Sequence, residues 1–118
     1  MAGLTGHRIL VAEDEFLIAI TLEMLLSEAG AEVRTAATVA EAVGAAEDGV
    51  DVAVLDVSLA DGEVFPAADV LAKKGCPIVF HSGHATEAEL VERYPGAHAL
   101  SKPAHDAGLL ETLEKALS

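Results

Sequence analysis

Aromatic residues make up only 3% of the 118-residue chain: three Phe, one Tyr and no Trp. Any core must therefore be built from Ala, Val, Leu and Ile, and a 52% hydrophobic content supplies enough of them. There is one cysteine, Cys76, so no intramolecular disulfide can form, which fits a reducing compartment. Gly75 and Pro77 flank it, an apolar run follows, and only Lys73 and Lys74 bring positive charge near; it reads as an inert, buried thiol. Cations are also scarce. Seven Lys+Arg stand against twenty Asp+Glu, for a formal net charge of −13. Phosphate backbones and anionic lipid surfaces are bound through Lys and Arg, so neither nucleic acid nor membrane is an expected partner. No apolar run reaches the roughly 18 residues that suggest a membrane span, and Met1 to Gly6 lack the blocks of a signal peptide. A cytoplasmic protein is expected.

The mean hydropathy of +0.39 excludes intrinsic disorder. The length suits one domain over residues 1–118. Along it, short apolar runs alternate with longer helical patterns. Ile9-Leu10-Val11-Ala12, Val52-Ala53-Val54-Leu55 and Pro77-Ile78-Val79-Phe80 are continuous apolar strands. Ala31 to Thr35 and Ala97 to Leu100 are wetter and suit sheet edges. Between them, Ile18, Leu22, Leu25, Leu26 and Ala29 form one helical face, with Gly30 at the C-terminal cap. Thr38 with Glu41, and Thr86 with Glu89, have capping-box spacing. The first predicts a helix to about Asp48, closed by Gly49; the second, a short helix ending before Pro95. A further helix is predicted from about Glu63 to Lys74, tolerating Pro66 only in its first turn. Leu109, Leu110, Leu113, Ala116 and Leu117 mark the last helix and are read as core packing. Five strand–helix units predict an α/β, flavodoxin-like doubly wound (βα)5 fold, a five-stranded parallel sheet in order 2-1-3-4-5.

Ligands of such sheets bind beyond the carboxyl ends of the strands, at the switch point between strands one and three. The residues leaving the strands there are Glu13-Asp14-Glu15, Asp56, His81-Ser82-Gly83-His84 and Ser101-Lys102-Pro103. Asp14 and Asp56 should face each other across the crevice. Crowded carboxylates repel unless a cation sits among them, and hard oxygen donors with no aimed Cys or His cluster favour Mg²⁺ over Zn²⁺. Lys102 can hold a phosphoryl oxygen or pair with a carboxylate, Ser82 can donate to an anion, and an aspartate can act as a nucleophile that becomes an aspartyl-phosphate. Each carboxylate also has a simpler reading, as a favourable charge at a helix start or a turn residue. The five histidines carry no metal-site spacing beyond His81 and His84, which straddle Gly83.

Over nearly its whole length the chain resembles a response-regulator receiver domain. The resemblance rests on Ile9-Leu10-Val11-Ala12-Glu13-Asp14-Glu15, Val54-Leu55-Asp56-Val57-Ser58-Leu59, Phe80-His81-Ser82-Gly83-His84 and Leu100-Ser101-Lys102-Pro103. The segment Cys76 to His84 also resembles a degenerate Phe-Ala-Thr-Gly motif of the single-domain FAT GUY regulators of alphaproteobacteria. The resemblance implies a phosphoacceptor response regulator of two-component or phosphorelay signalling. Asp56 is then the phosphorylated residue, Asp14 a direct Mg²⁺ ligand, Glu13 a ligand through water, and Ser58 a ligand through its backbone carbonyl. Ser82 is the switch hydroxyl and Lys102 the phosphate-contacting lysine. The implied partner is a histidine kinase or histidine phosphotransfer protein. The chain itself is expected to be a monomer or weak homodimer, and no enzyme beyond its own phosphorylation and dephosphorylation. The rival readings are a phosphorylation-independent interaction module or phosphate sink, a fragment of a hybrid histidine kinase, and a small Mg²⁺-dependent phosphatase. Two features depart from the family pattern. Ala99 stands where many receivers carry an aromatic switch residue, and the loop Val57 to Asp61 lacks the usual proline. Switching is therefore expected through the Ser82-Gly83-His84 turn and the helix beginning near Thr86.

Overall fold

A computed structural model describes residues 3–83, 87–102 and 106–118. Five parallel strands form the main sheet: β1 (Arg8–Ala12), β2 (Glu32–Ala36), β3 (Val52–Leu55), β6 (Ile78–Ser82) and β7 (His98–Ser101). Their order is β2-β1-β3-β6-β7, with the two wetter strands at the edges. Apart from one small ladder this is the 2-1-3-4-5 order predicted for a flavodoxin-like sheet. The helices are α1 (Phe16–Glu28), α2 (Val39–Asp48), α3 (Phe65–Lys73), α4 (Glu87–Arg93) and α5 (Asp106–Leu117). None of the described helices is long and apolar enough to cross a membrane.

The central strands are continuous in hydrophobicity because helices cover both faces. Successive side chains alternate between them. Leu10, Ala12, Ala53, Leu55, Ile78 and Phe80 join the core under α2 and α3, with Ala42, Ala45, Ala67 and Leu71. Ile9, Val11, Val52, Val54 and Val79 pack on the other side with Leu22 and Leu26 of α1 and Leu109 and Leu113 of α5. The expected C-terminal leucine stripe is thus core. Three of the four aromatic residues also gather in one place. Tyr94 lies 5.5 Å from Phe80 and 6.1 Å from Phe65 between ring centroids, and the Arg93 guanidinium sits 3.8 Å from the Phe65 ring.

The local signals that end and begin helices behave as their chemistry requires. Gly30 turns the chain after α1 with φ +97°, where a Cβ would also meet the Thr5 hydroxyl at 2.7 Å. The Thr38 hydroxyl accepts the Glu41 N–H at 3.1 Å, while the Glu41 carboxylate reaches back to the Ala37 N–H at 2.9 Å. Thr86, expected to cap α4, lies outside the described residues, as do His84 and Pro103. Cys76 is half-buried, its Sγ 3.5 Å from the Val50 carbonyl, and burial raises its pKa to about 11. It is a structural thiol.

One segment departs from expectation. The sequence suggests a short loop from Val57 to Asp61 and a helix from about Glu63, but β4 (Ser58–Leu59) and β5 (Gly62–Glu63) form a small antiparallel ladder. Buried Val57, Leu59 and Val64 root it, and the Val64 N–H donates to the Val57 carbonyl at 2.8 Å. Pro66 then occupies the first turn of α3, so the helix begins at Phe65.

Candidate functional site

The sheet ladder continues one residue beyond three strand ends, and those residues are the ones with chemistry. The Glu13 N–H donates to Ala36, the Asp56 N–H to Ala12 and the Lys102 N–H to Ser82, at 2.9, 2.9 and 3.1 Å. The register Ala12↔Leu55 sets Glu13 beside Asp56, and Leu55↔Phe80 sets Asp56 beside His81. Backbone hydrogen bonds thus fix where each side chain starts.

The side chains converge. Lys102 Nζ donates to Asp56 Oδ2 at 2.9 Å and to Glu13 Oε1 at 2.5 Å. The Glu15 N–H donates to Glu13 Oε2 at 3.1 Å, and the Ser58 N–H lies 3.4 Å from Asp56 Oδ1. Carboxylate oxygens of Glu13, Asp14 and Asp56 all lie within 4.8 Å of one another. Glu13 and Asp56 are buried at 3% and 8% exposure, while Asp14 is open to solvent. Burial raises the Glu13 pKa, against the lowering pull of the Lys102 bond. For Lys102, burial works to lower the pKa, but the bonds to Glu13 and Asp56 outweigh it and hold the ammonium charged.

The simpler readings of these acids do not account for this placement. α1 starts only at Phe16; its capping residue Glu15 makes no side-chain cap, and the first turn holds no acid. The acids turn instead toward Lys102 and one another. Three carboxylates and one ammonium leave two negative charges uncompensated, and all the donors are hard oxygens. That set fits a divalent cation such as Mg²⁺. Ser82, at the end of β6, is buried at 6% exposure.

Two features escaped the sequence reading. The sequence offers His81 only as a metal ligand, yet it is buried at 5% exposure and its Nε2 has no hydrogen-bond partner among the described residues. Burial, and then the Lys102 charge, hold its imidazole below the ordinary 6.5. An unpaired buried nitrogen is costly, so His81→Leu should stabilise the metal-free protein by about 1 kcal/mol at neutral pH. A depressed folded pKa means that wild-type stability falls as pH drops below the unfolded value of about 6.5. The variant's advantage should therefore grow toward acid, measured by urea unfolding. No gain at either pH would mean the ring nitrogen carries no cost.

The second feature is α1, which is apolar on two opposite faces. One packs on the sheet. The other presents Phe16, Leu17, Ile20 and Met24 at 74, 75, 37 and 58% exposure, the large exposed hydrophobic side chains among the described residues. Its signal in the sequence is the run Phe16-Leu17-Ile18-Ala19-Ile20, which is apolar beyond the single stripe an amphipathic helix needs.

Comparison with known proteins agrees with this geometry. The chain is similar to SdrG from Sphingomonas melonis Fr1, at 37% identity with all of both chains covered and a TM-score of 0.78. It is similar to the HemR receiver domain from Leptospira biflexa, at 31% identity over 95% of this chain and 94% of that one, TM-score 0.84. The PhyR receiver domain from Erythrobacter litoralis matches at 27% identity over 96% and 91% of the two chains, TM-score 0.80. No curated protein matches the chain. The model of the response regulator receiver domain matches residues 9–114, which include the whole acidic cluster, and the chain belongs to that family.

Proposed function

We propose that residues 1–118 act as one receiver unit, a phosphoacceptor response regulator in which Asp56 takes a phosphoryl group from a phosphohistidine. The observation that carries this reading is the 2.9 Å contact of Asp56 with Lys102 inside the cluster of Glu13, Asp14 and Asp56. An Asp56 carboxylate oxygen attacks phosphorus, the P–N bond breaks, and its electron pair returns to the imidazole nitrogen, which takes up a proton from water. Lys102 neutralises charge on the transferred group, and Ser82 donates its hydroxyl to a phosphoryl oxygen. Asp14 and Asp56, the Ser58 carbonyl, and Glu13 through water would hold Mg²⁺. When bound, that ion supplies charge neutralisation at the phosphoryl oxygens. The setting is cytoplasmic and the chain a monomer or weak homodimer.

The donor is a histidine kinase or histidine phosphotransfer protein, and the exposed α1 stripe supports a protein donor. It begins two residues after Asp14, so a surface seated on it lies beside the mouth of the site. Acetyl phosphate and a phosphorylated donor protein, each with and without Mg²⁺, test the proposal by intact mass. One phosphoryl group per chain, and only with Mg²⁺, is the expected result. Uptake independent of Mg²⁺, or none from either donor, would sink it. The double variant Phe16→Ala/Leu17→Ala should slow transfer from the donor protein about tenfold, the loss of one apolar anchor's worth of binding. Its reaction with acetyl phosphate should be unchanged; equal slowing with both donors would remove α1 as the docking face.

A further inference from the structure

Asp61 occupies the exposed turn between β4 and β5, five residues after the phosphoacceptor. Its carboxylate does not simply face water. Oδ1 accepts the Val39 N–H at 2.6 Å and Oδ2 lies 3.5 Å from the Ala40 N–H. These are N–H groups of the first turn of α2, which an α-helix cannot satisfy internally. α2 has its own cap in Thr38, which takes the Glu41 N–H instead. The two acceptors are therefore complementary, and one of them belongs to another element.

A ladder of two-residue strands has little stability of its own. Its root is anchored by Val57, Leu59 and Val64, but Ala60, Asp61 and Gly62 at the tip are exposed. Among the described residues, the bonds from Asp61 to α2 are what tie the tip down. The other end of the same ladder is Ser58, whose N–H faces Asp56 Oδ1. In the phosphoacceptor reading, Ser58 also contributes its backbone carbonyl to the cation. A carbonyl cannot be re-aimed by choosing a rotamer; only the path of the chain places it.

We propose that Asp61 is a positioning residue, pinning the β4–β5 ladder to α2 so that the Ser58 backbone is held in place beside Asp56. The consequence for the cation rests on the phosphoacceptor reading; the ordering of the ladder does not.

Three variants separate positioning from general helix stability. Asp61→Ala should weaken Mg²⁺ binding about tenfold by calorimetric titration, the size expected when a group supporting a ligand is lost. Asp61→Asn keeps an acceptor oxygen and should bind Mg²⁺ within about twofold of wild type. Thr38→Ala removes the other cap of α2 and should lower the melting temperature while leaving Mg²⁺ affinity unchanged. Hydrogen exchange at the Val64 amide in metal-free protein reads the ladder directly, and it should quicken in Asp61→Ala but not in Thr38→Ala. Wild-type affinity in Asp61→Ala, or an equal loss in Thr38→Ala, would overturn the assignment. If wild type binds no Mg²⁺, the phosphoacceptor reading fails instead. The Val64 exchange then still decides, and unchanged exchange in Asp61→Ala overturns the role given to Asp61.

Discussion

Asp56→Asn protein should emerge from incubation with acetyl phosphate or a phosphohistidine donor at unchanged mass, in saturating Mg²⁺, while remaining folded. An amide lacks the negative charge that makes a carboxylate oxygen a nucleophile toward phosphorus, so the loss should be complete within detection. Stability should move little, because two effects oppose each other. The substitution removes one partner of the Lys102 ammonium, but Glu13 remains on it at 2.5 Å. It also removes one of three carboxylates lying within 4.8 Å, relieving repulsion in metal-free protein. We expect the two to cancel within about 1 kcal/mol. Phosphoryl uptake by the variant at the wild-type rate would place the acceptor elsewhere. A collapse of the fold would show that Asp56 is structural.

The parts of this molecule that were legible in its sequence are those with a period or a fixed spacing. Val52 to Leu55 is apolar at every position because its parallel strand is covered on both faces, and no other element of that length needs such a run. Strand order followed from the wetness of Glu32 and Arg34 and the weak pattern near Ala99, which belong to edges. Once the order was fixed, the convergence of Asp14, Asp56 and Lys102 followed from topology alone. What escaped notice lacks any period. The β4–β5 ladder has two residues per strand, too few to alternate. The partners of Asp61 are backbone N–H groups 22 and 21 residues away, which no side-chain pattern announces. The division of Lys102 between Glu13 and Asp56 depends on rotamers, so Glu13 was expected only as an outer neighbour of the cation.

The absent aromatic at position 99 is likewise explained by packing rather than by sequence position. Ala99 pairs in register with Phe80 and packs against the core cluster that holds Phe80 and Tyr94. The aromatic residues of that region come from α3, β6 and the residue after α4, as Phe65, Phe80 and Tyr94. Tyr94 is fixed there by a 2.7 Å bond from its hydroxyl to Asp69. A switch that turns an aromatic ring inward from position 99 cannot operate in this chain. The route we propose from Ser82 outward is α4. The turn at His84 and Thr86, on which that expectation also rested, lies outside the described residues.

Lys102→Met should produce the largest loss of stability of any single change at the site. Methionine preserves most of the apolar stem and deletes the charge, so the effect is electrostatic rather than one of packing. Without the ammonium, Glu13 and Asp56 are left side by side with side-chain exposures of 1% and 11% and no cation between them. Removing one partner of a buried ion pair leaves an uncompensated charge and typically costs about 3 kcal/mol or more. For a domain of this size, that is a fall in melting temperature of roughly 10 °C in EDTA. Two dependences identify the cause. Because burial already holds the Glu13 carboxyl above its usual pKa, acid protonates it in the folded chain before the unfolded one. The deficit should therefore shrink as pH falls and widen as pH rises through the folded pKa. Mg²⁺ should also stabilise the variant more than wild type, since a divalent cation replaces the missing charge and adds stability by mass action. A deficit under about 1 kcal/mol in EDTA, or one indifferent to both pH and Mg²⁺, would mean that Lys102 is not what holds these carboxylates together.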